Sequence, residues 1–149
     1  MAYLVDTNVL LRFADRSHPL HPTIRVAVRQ LRQAGHELKV STQNCIEFWN
    51  VATRPIAKNG FGLAPAETEP LLQLLEQLFP VLPDRADVYQ EWRRLVVQFG
   101  VSGVQVHDAR LVASMKVNTI SHILTLNSAD FKRYSTEGIV AVESGAMVE

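Results

Sequence analysis

The sequence predicts an α/β fold built on a mainly parallel sheet. Two short apolar runs, at residues 3–5 and 122–126, have the length and composition of buried strands. Between them lie segments in which apolar residues recur every three or four positions, the spacing of amphipathic helices. Strands that alternate with helices form βαβ units, in which consecutive strands run parallel. The length of 149 residues, 47% of them hydrophobic, fits one domain spanning residues 1–149.

The first half of the chain carries the signals of two strands and three helices. Asp6 directly follows the first strand and is a residue type that starts helices. Glycine and proline mark two helix ends, because glycine adopts the left-handed conformation that closes a helix and proline cannot continue one. The predicted elements are a strand at 3–5, a helix beginning after 6–8, a helix at 22–34 closed by Gly35, a strand at 38–40, and a helix capped by Ser41-Thr42 and stopped by Pro55.

The second half continues the alternation after a loop at residues 57–64. Four leucines at helical spacing then form a stripe, with Pro70 either in the first turn of their helix or at a break. The stripe is equally compatible with the core and with a dimer surface. The leucines are Leu71, Leu74, Leu75 and Leu78. The elements predicted next are an extended link at 81–82, a helix beginning at Asp84, a helix opening near His107-Asp108, and strands at 122–126 and 139–142.

Composition excludes several classes of protein. The single cysteine, Cys45, cannot form an internal disulfide or a zinc-cysteine site, and its position on an apolar helix face predicts a core residue rather than a nucleophile. The N-terminus lacks the basic and apolar regions of a signal peptide, and no charge-free apolar run approaches the ~20 residues that span a bilayer. We therefore expect a cytoplasmic protein with no membrane association.

Acidic residues follow the predicted strands. Asp6 comes directly after the first strand, Asp108 stands at a helix start, and Asp130 lies in the turn after the strand at 122–126. In parallel α/β sheets, ligands bind beyond the carboxyl ends of the strands, so these side chains are expected to converge. Glu47 interrupts an apolar helix and joins a polar stripe that ends at Arg54. Each acid also has a simpler explanation: the aspartates are typical helix caps, and Glu47 is placed to pair with Arg54.

Four converging carboxylates favour a divalent cation, because without one they would repel each other. All the donors would be oxygens, which favours Mg²⁺ or Mn²⁺ over zinc. His18 and His21 flank Pro19 and are interpreted as part of a helix start rather than as a ligand pair. The chain contains neither a glycine-rich phosphate loop nor a GxSxG motif.

Four segments of the sequence resemble the PIN-domain family and, within it, the VapC-like toxins. The resemblance covers nearly the whole chain in the expected order, and its motifs are strong in combination. The segments are LVDTNVLL at 4–11, STQNCIEFWNVATRP at 41–55, the helix of Asp108, and LTLNSADF at 124–131.

The resemblance implies a three-layer α/β/α sandwich around a parallel sheet and a metal-dependent ribonuclease activity. Asp6, Glu47, Asp108 and Asp130 take the four acidic positions of the family. Members cleave RNA by attack of water at phosphorus, often form homodimers, and are commonly restrained by a cognate antitoxin. Asn127 stands where some relatives carry another acid, which puts its direct role in metal binding in doubt.

Chemistry assigns roles to these residues. Asp6 and Asp108 are the expected direct ligands of Mg²⁺ or Mn²⁺, and Glu47 and Asp130 would coordinate directly or through water. Two further sets carry open alternatives. Thr7, Asn8 and Thr125 could support the metal ligands by hydrogen bonds, or they could be ordinary turn and cap residues. Arg25, Arg29 and Arg32 could contact phosphates, or they could form a solvated helix face.

Three other functions compete with a ribonuclease toxin. A nuclease of the same fold could act on DNA or in RNA maturation. A haloacid-dehalogenase-like phosphatase also places Asp after its first strand, but it needs a second Asp two residues later, where this chain has Asn8. A non-catalytic binding module is the third alternative, and the retention of all four carboxylates argues against it.

The formal net charge of zero argues at first against a nucleic-acid substrate. This argument weakens when the four candidate acids are counted separately from the rest of the surface. Without them, 15 Lys and Arg stand against 11 Asp and Glu, a formal excess of +4. The sequence therefore predicts an acidic pocket in a mildly basic surface.

Overall fold

The computed structural model describes residues 1–144 and contains a four-stranded parallel sheet. The strands lie in the order β2-β1-β3-β4, and every pair of neighbours is parallel. Val5 at the end of β1 pairs with Leu124 in β3, which fixes the register of the two central strands. The strands are β1 (Ala2–Val5), β2 (Glu37–Lys39), β3 (His122–Thr125) and β4 (Val140–Glu143).

Six α-helices and two 3-10 segments connect these strands. The helices are α1 (Thr7–Ala14), α2 (His21–Gln33), α3 (Thr42–Thr53), α4 (Pro65–Leu78), α5 (Val88–Gln98) and α6 (Gln105–Val117). The 3-10 segments are Ile56–Lys58 and Ser128–Glu137. Within the described residues no helix is long and apolar enough to cross a membrane.

Apolar side chains pack on both faces of the sheet. Tyr3 and Val5 of β1 point into a core formed with α1 to α4, whereas Leu4 between them points into a second core formed with α5, α6 and the segment Ser128–Glu137. This alternation follows from the two-residue period of a strand. It confirms the three-layer α/β/α sandwich.

The leucine stripe on α4 divides between core and surface. Leu75 is buried and Leu71 partly buried, whereas Leu74 and Leu78 are exposed. Pro70 lies inside α4, so neither of the two positions expected for it is correct. The helix already begins at Pro65, where a missing backbone N–H costs no hydrogen bond.

The predicted helix start at Asp84 is wrong, because α5 begins at Val88. The Asp84 carboxylate is used elsewhere and accepts a hydrogen bond from the Thr42 hydroxyl at 2.6 Å. Arg85 donates to Asp87 and to the carbonyl oxygen of Val117, so the chain before α5 is held against α6. These long-range contacts keep residues 82–85 out of the helix.

The strand order places a crevice between β1 and β3. The chain leaves β1 for β2 on one side, and β3 later adds on the other side. Such a reversal of strand order separates the loops that follow the two central strands, and ligands of parallel α/β sheets bind at this point. Asp6 and Thr125 lie at these two strand ends.

Candidate active site

Asp6 is the most buried acid of the candidate site, with 7% of its surface exposed. It caps α1, and its Oδ1 accepts a hydrogen bond from the backbone N–H of Thr7 at 2.8 Å. Its Oδ2 accepts one from the hydroxyl of Thr125 at 2.8 Å. Capping therefore uses one oxygen only, and the second is oriented by a side chain 119 positions away.

Glu47 is linked to the same site through Thr7. The Thr7 hydroxyl donates to Oε1 of Glu47 at 2.7 Å and accepts from Nδ2 of Asn44 at 3.0 Å. Among residues 1–144, Glu47 forms no ion pair, and Arg54 instead donates to the carbonyl oxygen of Asn59. The alternative in which Arg54 neutralises Glu47 is therefore wrong.

Asn44 holds the Thr7 hydroxyl in place. Its Oδ1 accepts hydrogen bonds from the backbone N–H and the hydroxyl of Ser41, both at 2.8 Å, which forms the cap of α3. The side chain is fully buried. A chain of hydrogen bonds thus runs from Ser41 through Asn44 and Thr7 to Glu47, and it fixes the orientation of that carboxylate.

The Asn44→Ala variant is expected to lose about 2–3 kcal/mol of unfolding free energy, because it leaves the cap of α3 and the Thr7 hydroxyl without their buried partner. Urea unfolding measures the loss. Asn50→Ala removes an exposed amide from the same helix and should change the free energy by less than about 0.5 kcal/mol. Equal urea midpoints for the two variants would contradict the assigned role of Asn44.

Asp108 lies in the first turn of α6 and is partly buried. Its pKa is raised to about 6, chiefly by burial and then by the negative charges of Asp6, Asp130 and Glu47, in that order of effect. The pKa of Asp6 is also raised to about 6, chiefly by burial, which outweighs the lowering effect of the hydrogen bonds from Thr125 and Thr7. The negative charges of Glu47 and Asp130 also raise the pKa of Asp6. The fold thus brings all four acids into one electrostatic cluster.

Asp130 is the exposed member of this cluster. It lies in the first turn of the segment Ser128–Glu137, and its backbone N–H donates to the carbonyl oxygen of Asn127. The Asn127 side chain is exposed and makes no cap hydrogen bond to the segment. Its backbone N–H donates to the Thr125 hydroxyl, the same group that donates to Asp6.

The cluster has the donor chemistry of a Mg²⁺ or Mn²⁺ site, since all of its side-chain donors are carboxylate oxygens. Within residues 1–144, no three or more His, Cys, Asp or Glu side chains are already arranged to hold a metal ion. The four acids are therefore neighbours rather than a preformed ligand set. A cation would have to draw them together against their mutual repulsion.

The other residues considered in the sequence lie apart from the cluster. His18 accepts from the backbone N–H of Leu20, and His21 contacts the Arg12 carbonyl oxygen, which confirms their role at the start of α2. Cys45 packs against the core, and burial raises its pKa to about 11, so it is a thiol at neutral pH.

The arginine face of α2 borders a separate cleft of about 400 Å³. Arg32 lies over the ring of Phe79, 5.0 Å from its centroid, and donates to the carbonyl oxygen of Leu78. Arg25 and Arg29 are exposed. Arg32 therefore has a structural role, whereas Arg25 and Arg29 are free of such contacts within residues 1–144, and exposure is compatible with both alternatives for them.

Two polar residues beside the cluster, Gln43 and Arg110, were given no role in the site from the sequence, although Gln43 belongs to the polar stripe of Glu47. Gln43, one turn before Glu47 on α3, donates from Nε2 to the carbonyl oxygen of His107 at 2.8 Å. Its Oε1 accepts from Nη1 of Arg110 at 3.0 Å. Gln43 thus joins α3 to the first turn of α6, on either side of Asp108. Only the juxtaposition of the two helices reveals this link.

Comparison with known proteins gives one family. The sequence model of the PIN domain matches residues 3–137, most of the chain. No curated protein sequence matches the chain.

Several solved structures share its fold. VapBC2 from Rickettsia felis, bound to a DNA fragment from its promoter, superposes with a TM-score of 0.70 at 14% identity, covering 96% of this chain and 98% of that chain. FitAcB from Neisseria gonorrhoeae superposes with a TM-score of 0.66 at 18% identity, covering 97% of this chain and 98% of that chain. VapC20 from Mycobacterium tuberculosis, a sarcin-ricin loop cleaving toxin, superposes with a TM-score of 0.61 at 19% identity, covering 95% of this chain and 98% of that chain.

Proposed function

This chain belongs to the PIN domain family, and on that premise we propose that it is a metal-dependent endoribonuclease that hydrolyses RNA phosphodiester bonds. One observation carries the proposal. Asp6 at the end of β1 and Asp108 in the first turn of α6 lie close enough for the charge of Asp6 to raise the pKa of Asp108. A divalent cation bound by both would relieve this repulsion and attract a phosphate.

Each acid has a distinct place in the proposed reaction. Asp6 and Asp108 would hold Mg²⁺ or Mn²⁺ directly, and Glu47 and Asp130 would complete the site directly or through water. When bound, the metal would supply acidity to an attacking water and positive charge to the phosphate and the leaving oxygen. Thr125 and the backbone of Thr7 keep Asp6 oriented, and the Thr7 hydroxyl holds one oxygen of Glu47. These hydrogen bonds fix the orientation of Asp6 and Glu47, and a cation would draw the four acids together around it.

Cleavage of single-stranded RNA by the purified protein tests this function. We expect cleavage with Mg²⁺ or Mn²⁺, none with a chelator, and a loss of at least about 100-fold in Asp108→Asn. Glu69→Gln removes an exposed acid on α4, far from the cluster in the sequence, and should retain full activity. RNA cleavage that survives the chelator would contradict the proposal, and so would cleavage of single-stranded DNA in place of RNA.

We also propose that the protein is the toxin of a toxin–antitoxin pair, that it acts in the cytoplasm and that it forms a homodimer. Support comes from relatives of the same fold: VapBC2 and FitAB have been solved bound to DNA fragments, and VapC20 is a sarcin-ricin loop cleaving toxin. Copurification with the product of an adjoining small reading frame would identify the antitoxin. Sedimentation of the purified protein would establish the dimer.

A further inference from the structure

A cavity of about 540 Å³ lies where α5 meets the first turn of α6. Its volume is in the range of small-molecule sites. His107 and Arg110, which flank Asp108 in the sequence, line it. Asp108 of the carboxylate cluster lies on the same turn of α6 as these two residues, so the cavity and the cluster are joined by this turn.

Two aromatic rings form one wall of the cavity. Tyr89 and Trp92 stack with their centroids 5.8 Å apart and their planes inclined by 27°. The indole N–H of Trp92 donates to the carbonyl oxygen of Val106 at 2.8 Å, which fixes this ring to the start of α6. Tyr89 is 61% exposed. The pair is therefore an aromatic platform that is anchored at Trp92 and open to solvent at Tyr89, and unpaired nucleobases stack on such platforms.

Arg110 supplies a positive charge at the same cavity. Its guanidinium is held by the neutral Oε1 of Gln43, and within residues 1–144 it has no carboxylate partner. Its charge is thus oriented without being neutralised.

The two other charged groups of the cavity already have partners. Arg85 pairs with Asp87 at 2.9 Å, and the Asp84 carboxylate keeps its negative charge but is held by a hydrogen bond from the Thr42 hydroxyl. Arg110 is therefore the cation available to a phosphate.

We propose that this cavity binds one unpaired nucleotide of the RNA substrate, with its base stacked on Tyr89 and its phosphate at Arg110. The inference rests on the proposed ribonuclease function and names the class of substrate. In a duplex each base is already stacked between its neighbours, so its faces cannot reach the platform. The cavity therefore selects single-stranded RNA and holds the strand beside the carboxylate cluster.

Binding of a fluorescein-labelled single-stranded RNA of about 12 nucleotides, free or annealed to its complement, tests the proposal. The Asp6→Asn background with Mg²⁺ present keeps the RNA intact. We expect Tyr89→Ala to weaken single-strand binding about tenfold, and Tyr89→Phe, which retains the ring, to stay within about twofold. Val97→Ala trims an exposed side chain of the same helix outside the cavity and should bind normally. The duplex should bind more weakly and be insensitive to Tyr89.

A second variant tests the phosphate contact. Arg110→Gln should weaken binding and reduce the slope of log Kd against log salt by about 0.7, whereas Arg110→Lys should preserve that slope. Arg93→Gln removes a charge from α5 outside the cavity and should change neither the RNA affinity nor the salt slope. In a Trp49→Phe background, the remaining fluorescence of Trp92 should be quenched saturably as RNA binds.

Unchanged RNA binding by Tyr89→Ala would overturn the inference. So would a shift of Tyr89→Ala from dimer to monomer with RNA binding retained, because the cavity would then be a contact between two copies. RNA cleavage that is indifferent to Tyr89 and Arg110 would reject the cavity and leave the ribonuclease function standing. RNA binding that depends on Tyr89 in a wild-type protein that cleaves no RNA would support the cavity and reject the ribonuclease function.

Discussion

The Asp6→Asn variant is expected to lose at least about 100-fold in RNA cleavage rate, while its metal-free form becomes more stable than the wild type. The first effect follows because Asp6 is one of the two proposed direct ligands. The second follows because Asp6 is buried and its pKa is raised to about 6. A carboxylate that is more costly to ionise in the folded chain than in the unfolded chain lowers stability at neutral pH.

The expected gain in stability is about 1–2 kcal/mol. A pKa raised from 3.8 to about 6 corresponds to at most roughly 3 kcal/mol at neutral pH. Asparagine cannot accept both hydrogen bonds that Asp6 accepts from Thr7 and Thr125, and this offsets about 1 kcal/mol. The melting temperature of the metal-free variant should therefore rise by about 3–6 °C.

Asp15→Asn is the matched control, because Asp15 lies at the other end of α1. Hydrogen bonds from Ser17 lower the pKa of Asp15, the opposite direction to Asp6. Its replacement should give no gain in stability and no loss of RNA cleavage. An Asp6→Asn variant that is fully active, or one that melts below the wild type without metal, would contradict the assignment of Asp6.

Mn²⁺ is expected to stabilise the wild type strongly at about pH 7.5 and weakly at about pH 5. Metal ligands must be deprotonated, and Asp6 and Asp108 both have a pKa of about 6. Because these values are higher in the folded chain, folding takes up protons between about pH 4 and pH 6, and metal-free stability falls as the pH rises through that window. The gain from Mn²⁺ should grow over the same window.

The size of this effect depends on the affinity for the metal. At a Mn²⁺ concentration about 100 times the Kd, the folded state gains roughly 2.7 kcal/mol, or about 5–10 °C in melting temperature. Thermal unfolding with and without Mn²⁺ at the two pH values measures it. Asp6→Asn should show little gain at either pH. Equal gains at both pH values, or an equal gain in the variant, would place the metal elsewhere.

Local signals accounted for most of the fold. The apolar run at 3–5 followed by Asp6 predicted β1 and the capped start of α1, and Gly35, with a φ of +88°, closed α2 as expected. The helix start at Asp84 was wrong because its carboxylate bonds to Thr42, 42 positions away. Sequence spacing carries no information about such a contact, and it outweighs a local preference for capping.

The candidate site was predictable only in part. The position of acids after strands predicted that Asp6 and Asp130 converge, because parallel strands share one carboxyl edge. Asp108 follows α5 rather than a strand, and it reaches the cluster because it lies in the first turn of α6. Asn44 and Gln43 looked like ordinary polar positions of a helix. Their roles depend on how α3 packs against α1 and α6, which no local pattern encodes.

The central claim is that the four carboxylates share a divalent cation. Crystals grown with Mn²⁺ test it most directly, because anomalous scattering locates the ion without reference to activity. We expect a peak roughly 2.0–2.3 Å from oxygens of Asp6 and Asp108, with Glu47 and Asp130 around it. Its absence from Asp6→Asn crystals would be the matching control. An Mn²⁺ ion bound away from these side chains, or none at saturating Mn²⁺ in a protein that cleaves RNA, would contradict the claim.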